Sequence, residues 1–191
     1  NWVEATTPDS QIEEAEFRAA AQLGGVVTLN KDVVLSSTLA LANDLVLDLN
    51  GHNITINNDS DELGVGDGII VTEGTLTIKG EGTVAGCTRA VWARGAENDA
   101  VVTINGGTYK VVPVSKSTLF ALNVGDGANS IANVVINGGT FIGPKGTMAD
   151  SGGALTVKVG STVNIKGGNF SGGKNKTLSN NGTLVITGGI F

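Results

Sequence analysis

Val134-Val135-Ile136-Asn137-Gly138-Gly139-Thr140-Phe141 is the stretch that decides the fold, because the chain contains it five times in variant form. The other four are Thr75-Leu76-Thr77-Ile78-Lys79-Gly80, Val102-Thr103-Ile104-Asn105-Gly106-Gly107-Thr108-Tyr109, Thr162-Val163-Asn164-Ile165-Lys166-Gly167-Gly168-Asn169-Phe170 and Thr183-Leu184-Val185-Ile186-Thr187-Gly188-Gly189-Ile190-Phe191. Aligned on their isoleucines at 78, 104, 136, 165 and 186, they repeat at intervals of 26, 32, 29 and 21 residues. A period in the twenties with variable insertions marks a solenoid whose loops absorb the differences.

Each repeat also carries an apolar strand before its isoleucine: Gly68-Ile69-Ile70-Val71, Ala90-Val91-Trp92-Ala93, Leu119-Phe120-Ala121-Leu122-Asn123-Val124 and Ala154-Leu155-Thr156-Val157-Lys158-Val159. A third short strand follows the double glycine and bears Tyr109, Phe141 or Phe170. Three strands per turn with Gly or Asn corners predict one coil of an all-β, right-handed parallel β-helix, with equivalent residues stacked about 4.8 Å apart. The isoleucines and the Tyr/Phe series should fill the interior, and the double glycine should turn the backbone where a Cβ would clash. Period-two segments from Val26 to Ile56 add two further coils. The total is about seven coils, or about 30 Å of length.

One segment breaks the β pattern. Ser10-Gln11-Ile12-Glu13 fits a capping box, and the helix it starts should run over 10–23 to the stop at Gly24-Gly25. Ile12, Ala15, Ala19 and Leu23 fall on one stripe, flanked by Phe17 and Ala20, with Glu13, Glu14 and Arg18 left for water. The chain thus divides into an N-terminal segment and capping helix, 1–25, and the β-helix, 26–191. A parallel stack has two open ends. The helix closes one, and the expectation at the other is continuation into more coils or contact with another subunit.

Composition narrows the function classes. Gly is 29 of 191 residues and Pro only 3, so the glycine belongs to turns rather than to a collagen or disordered tract. Eighteen acidic against twelve basic residues give a net charge of −6 with no basic run. That balance argues against a nucleic-acid partner or an anionic membrane surface, and no apolar run is long enough to insert in a bilayer. The single cysteine, Cys87, excludes an internal disulfide and reads as a small apolar residue.

Gly24-Gly25-Val26-Val27-Thr28-Leu29, Leu47-Asp48-Leu49-Asn50-Gly51-His52-Asn53-Ile54-Thr55 and the Ile-Asn-Gly-Gly-Thr-Tyr/Phe repeats together resemble a pectin-lyase-like right-handed parallel β-helix family. The repeats are similar to those of bacterial surface and adhesin-type proteins, and to β-helices of phage fibres and capsid decoration. The resemblance implies the fold over nearly the whole chain but little about function, because this fold hosts lyases, hydrolases, adhesins and stalks alike. Enzymes of the family carry basic residues over Ca²⁺ carboxylates, or paired aspartates with Gly-His-Gly and Arg-Ile-Lys segments. This chain has none of those motifs.

The candidate sites are accordingly modest. His52 follows the Asn50-Gly51 turn with no titratable partner implied by spacing, and reads as a corner histidine. Asp59, Asp61, Glu62 and Asp67 cluster in one loop and could hold Ca²⁺, although Leu63 and Ile70 stand where an EF-hand needs ligands. Trp92 alternates with Val91 and could face outward beside Arg94 to stack on a sugar ring, against the reading that it packs under a loop. Asn-x-Ser/Thr triplets starting at Asn53, Asn58, Asn169, Asn175 and Asn181 are what an Asn- and Thr-rich chain produces by chance.

The insertions at 57–67, 111–118, 125–132 and 142–153 are the adaptable surface. The sequence therefore points to a non-enzymatic structural or adhesive module of a bacterial surface or phage particle, extracellular or on a virion. Its partners would be a surface glycan or host-cell receptor, or a capsid or identical subunits, with a trimer open. The alternative is a polysaccharide lyase or glycoside hydrolase of the same fold, which would need titratable groups converging from different coils in a groove.

Overall fold

The computed structural model describes residues 9–56, 66–96, 99–112, 120–127, 129–144, 152–173 and 176–191. Among the described residues one helix, α1 (Asp9–Leu23), precedes nineteen short strands numbered in chain order. The strands form three all-parallel sheets. The first sheet contains β1 (Gly25–Thr28), β4 (Leu45–Asp48), β7 (Gly74–Lys79), β10 (Ala100–Ile104), β13 (Ala132–Ile136), β16 (Thr162–Ile165) and β19 (Thr183–Ile186). The second contains β2 (Val33–Leu35), β5 (Ile54–Ile56), β8 (Thr83–Gly86), β11 (Thr108–Val111), β14 (Thr140–Ile142) and β17 (Asn169–Ser171). The third contains β3 (Leu39–Leu41), β6 (Ile69–Val71), β9 (Val91–Ala93), β12 (Phe120–Val124), β15 (Gly153–Val157) and β18 (Leu178–Asn180).

Every third strand pairs with its predecessor one coil below, which makes the chain a parallel β-solenoid; the crossover rule for parallel strands gives it the right hand. Register follows the repeated isoleucine. Leu47, Ile78, Ile104, Ile136, Ile165 and Ile186 pair in sequence across the first sheet. All but the last are fully buried. In the second sheet the rings of Tyr109, Phe141, Phe170 and Phe191 stack face to face, with centroids 4.9, 4.8 and 5.0 Å apart. That spacing is the strand separation of a sheet, so each coil contributes one ring to one column.

The double-glycine corner behaves as its chemistry requires. Gly139 has φ +106°, and a Cβ there would stand 3.1 Å from the carbonyl oxygens of Gly106 and Gly107 in the coil below. A side chain is therefore disfavoured both by backbone conformation and by the close passage of the next turn. Asparagines also hold this corner. Asn137 Nδ2 donates to Asn105 Oδ1 at 2.7 Å, and Asn50, at φ +48°, donates from Nδ2 to the Leu29 carbonyl at 2.9 Å.

α1 packs on the first coil, but not with the stripe the sequence suggests. Ala15 and Ala19 are exposed and Leu23 is 88% exposed, whereas Phe17 and Ala21 are buried in the core. The docked face is Glu14, Phe17, Arg18 and Ala21, a proper i, i+3, i+4, i+7 set in which two members are charged. The charges are used. Glu14 Oε1 accepts from the Ser36 amide and hydroxyl, both at 3.0 Å, and from Arg18 Nε at 2.8 Å. Arg18 donates in turn to the carbonyls of Ser37 and Thr38. The helix thus meets the backbone of the 36–38 turn through its charged pair, which lies on the docked side. Ser10 falls inside the helix rather than before it. At the other end Asn43 Nδ2 donates to the Ala21 and Gln22 carbonyls, both at 3.0 Å, which satisfies two of the helix's last acceptors.

Candidate binding face

The three corners of the coil are unequal. Connections from first to second sheet are uniformly short: 29–32, 49–53, 80–82, 105–107, 137–139 and 166–168. Those from second to third sheet include the longest, at 57–68, 112–119 and 143–152, with 172–177 intermediate and 36–38 and 87–90 short. Three of the four sequence-expected insertions thus leave the described strands at one corner. The fourth, 125–132, lies at the corner from third to first sheet. Residues 57–65, 113–119 and 145–151 lie outside the described residues.

The outer face of the third sheet differs from the other two. Along the first and second sheets most outward residues alternate to water, as in Val34, Thr55, Val101 and Lys110. On the third sheet the middle of the outward ladder, Ile70, Trp92, Asn123 and Thr156, is buried too, between exposed Ala40 and half-buried Ser179. Trp92 does point outward from Val91 and Ala93, yet it is only 5% exposed. Its indole Nε1 donates to the Gly125 carbonyl at 3.0 Å, an acceptor it shares with Asn123 Nδ2 at 2.9 Å. The guanidinium carbons of Arg89 and Arg94 lie 4.1 and 5.0 Å from its ring centroid. Two cations on one indole place the ring in a stack of the protein's own side chains.

Asp67 is the anchor of this cluster. It is fully buried, and Arg89 Nη1 donates to both of its carboxylate oxygens at 3.0 Å. The cluster opens to water at Arg94, whose Nε stands 3.4 Å from Asp126 Oδ2 with both side chains about two-fifths exposed. Of the sequence-predicted residues, the structure brings Asp67, Trp92 and Arg94 to one place, through Arg89. Asp59, Asp61 and Glu62 lie outside the described residues. Among the described residues no three His, Cys, Asp or Glu side chains come together as a metal-ligand set. Sequence reasoning missed Arg89, although the pattern Arg89-Ala90-Val91-Trp92-Ala93-Arg94 already flanks the indole with two cations.

His52 does have a titratable neighbour, supplied by the coil below: its Nδ1 lies 3.4 Å from Asp32 Oδ1. Asp32 also accepts from the Asn53 side chain and amide at 3.0 and 2.9 Å, and these bonds hold its carboxyl below the usual value. The pair sits on a solvent-exposed corner. Tyr109 is buried in its column and donates to the Gly106 carbonyl at 2.9 Å, and burial pushes its phenol far up. Cys87 is half-buried against the core. A shallow groove of about 410 Å³ on the first sheet is lined by Gly25, Val26, Asp44, Leu45, Val46, Thr75 and Thr77. No described helix is long and apolar enough to cross a membrane.

Comparison with protein-family models, curated proteins and solved structures finds no match to this chain.

Proposed function

We propose that the chain is a non-enzymatic rod module, displayed on a bacterial surface or a phage particle, that holds a column of loops against a surface glycan. The observation that carries this reading is that the three longest connections leave the corner between second and third sheets, over a core filled by continuous ladders. A rigid scaffold with its variation stacked along one edge is suited to presenting several contacts at fixed intervals of about 4.8 Å per coil. Repetition along a particle then adds avidity that no single loop supplies. The likeness of the repeats to pectin-lyase-like β-helices of surface and phage proteins supports the same reading. Two titratable pairs bear on the enzymatic alternative: the Asp67 carboxylate is buried and committed to Arg89, and the Asp32–His52 pair lies on an open corner rather than in a groove.

The test is binding to an array of bacterial and host glycans by the intact chain and by a variant with 113–119 and 145–151 replaced by short Gly-Ser links. Retained fold with lost binding is the expected result. Equal binding by the trimmed variant, or turnover of a polysaccharide by the intact chain, would overturn the proposal.

A further inference from the structure

Three of the chain's four Asn-Gly dipeptides, Asn50-Gly51, Asn105-Gly106 and Asn137-Gly138, stand at the short corner between first and second sheets. An asparagine followed by glycine can cyclise: the glycine amide nitrogen attacks the side-chain carbonyl carbon, and no Cβ hinders the approach. The solenoid gives the three dipeptides different surroundings. Asn50 is tied at both reacting groups, since its Nδ2 donates to the Leu29 carbonyl at 2.9 Å and the Gly51 amide donates to the Glu81 carbonyl at 2.7 Å. The Gly106 and Gly138 amides have no acceptor among the described residues. Asn105 and Asn137 are both exposed and share one bond, and it has a direction: Asn137 donates from Nδ2 and Asn105 accepts at Oδ1, at 2.7 Å. That bond holds the Asn137 leaving group in place. On Asn105 it aims a donor at the oxygen where negative charge develops when Cγ is attacked.

We propose that Asn105 is a site of self-modification, deamidated through a cyclic imide with the Asn137 side chain of the next coil as its oxyanion donor. Hydroxide removes the Gly106 amide proton, the nitrogen bonds to Asn105 Cγ, and the carbonyl electron pair moves onto Oδ1, facing Asn137 Nδ2. Return of that pair expels Asn105 Nδ2, which takes a proton from water and leaves as ammonia. A water molecule then opens the imide at Cγ, the carbonyl that Asn137 polarises, and breaks the Cγ–N bond to give aspartate. One amide and one water become one carboxylate and one ammonium.

The surroundings suit that product. The backbone amides of Asn105, Asn137 and Lys166 donate to the Ile78, Ile104 and Ile136 carbonyls, so residues 79, 105, 137 and 166 form one column. A carboxylate at 105 stands between Lys79 below, which pairs with Asp48 at 3.1 Å, and Asn137 above, whose existing bond becomes charge-assisted. Opening at the other carbonyl would route the main chain through Cγ and lengthen the corner. The Gly106 and Gly107 carbonyl oxygens already crowd that corner, 3.1 Å from where a Gly139 Cβ would stand.

The test incubates the intact chain at mildly alkaline pH, with and without urea, and follows conversion at each asparagine by peptide mass spectrometry. In the folded chain Asn105 should convert about tenfold or more faster than Asn137 and Asn50, with aspartate the main product. In urea the three rates should come together, because all three dipeptides then meet the same solvent. Asn137→Asp keeps the shape of the side chain but cannot donate, and should slow Asn105 by about tenfold or more while Asn50 is unchanged. Equal rates in the folded chain, faster conversion at Asn137 than at Asn105, or an Asn105 rate that survives Asn137→Asp overturns the proposal. If that variant does not fold, the three rates in the unmodified chain decide alone. Isoaspartate in excess of aspartate at 105 overturns the assigned ring opening.

Discussion

Replacing Phe141 with alanine strikes the aromatic column at its best-packed ring. Phe141 is fully buried, with Tyr109 4.9 Å away on one side and Phe170 4.8 Å away on the other. Truncating a buried phenylalanine costs about 3–5 kcal/mol, and each stacked pair is worth about 0.5–1.5 kcal/mol beyond its area. The interior is continuous, so little can collapse into the gap, and a loss of about 4–5 kcal/mol is expected. Phe191→Ala is the internal reference: that ring is half exposed and has one stacking neighbour, at 5.0 Å. Its loss should be about 1–2 kcal/mol. For a chain of this size about 2–4 °C of Tm accompanies each kcal/mol, giving falls of about 8–20 °C and about 2–8 °C. Thermal and urea unfolding followed by circular dichroism measures both. A Phe141→Ala loss under about 1 kcal/mol, or one equal to that of Phe191→Ala, would refute the in-register column, because only stacking in the interior makes the two rings unequal.

Breaking the Asp67–Arg89 pair with Asp67→Ala should cost about 3–5 kcal/mol by leaving a buried guanidinium uncompensated, and should shift Trp92 fluorescence; a double-mutant cycle with Arg89→Met measures the coupling, which additive losses would disprove. Gly139→Ala should cost about 2–3 kcal/mol from left-handed backbone strain and carbonyl crowding, whereas Gly51→Ala, at φ +86° with open space around it, should cost about 1 kcal/mol. Equal urea midpoints for the two would contradict the corner geometry. Burial works to raise the Glu14 carboxyl, but bonds from Arg18 and from the Ser36 amide and hydroxyl outweigh it and hold the group below its usual 4.5. The folded state then binds the proton more weakly than the unfolded one. Helix docking contributes its full stability above pH 4.5 and loses it as pH falls through the lower folded value. Glu14→Gln should flatten that acid limb in pH-dependent melting, and an unchanged slope would rule out the assignment.

The repeat made the solenoid legible because an isoleucine and an aromatic at fixed offsets from a double glycine can be satisfied only by stacking like on like. The helix was harder to place. Apolar spacing selected Ile12, Ala15, Ala19 and Leu23, yet the helix docks through Glu14 and Arg18, which bond the 36–38 turn beside Phe17 and Ala21. Local periodicity carries no record of which backbone groups another segment leaves open. The same holds at the candidate face. Asp67 reads as part of a solvated acidic run because its neighbours are acidic, and its partner Arg89 stands 22 residues away, where only coil stacking brings it close. Alternation gave Trp92 its outward direction correctly, but the two arginines that cover it act through geometry across the strand.

The coil-to-coil hydrogen bonds run along the length of the rod, and this sets how the rod answers tension. Pulled between its two ends, it loads its sheets in series, so one rung carries the whole force until it peels and passes the load to the next. With 21 to 32 residues between successive isoleucines, each peeled coil would release about 70–110 Å of chain at about 3.4 Å per residue. A single-molecule trace should therefore show a train of small, unequal steps whose lengths report the insertions at the variable corner.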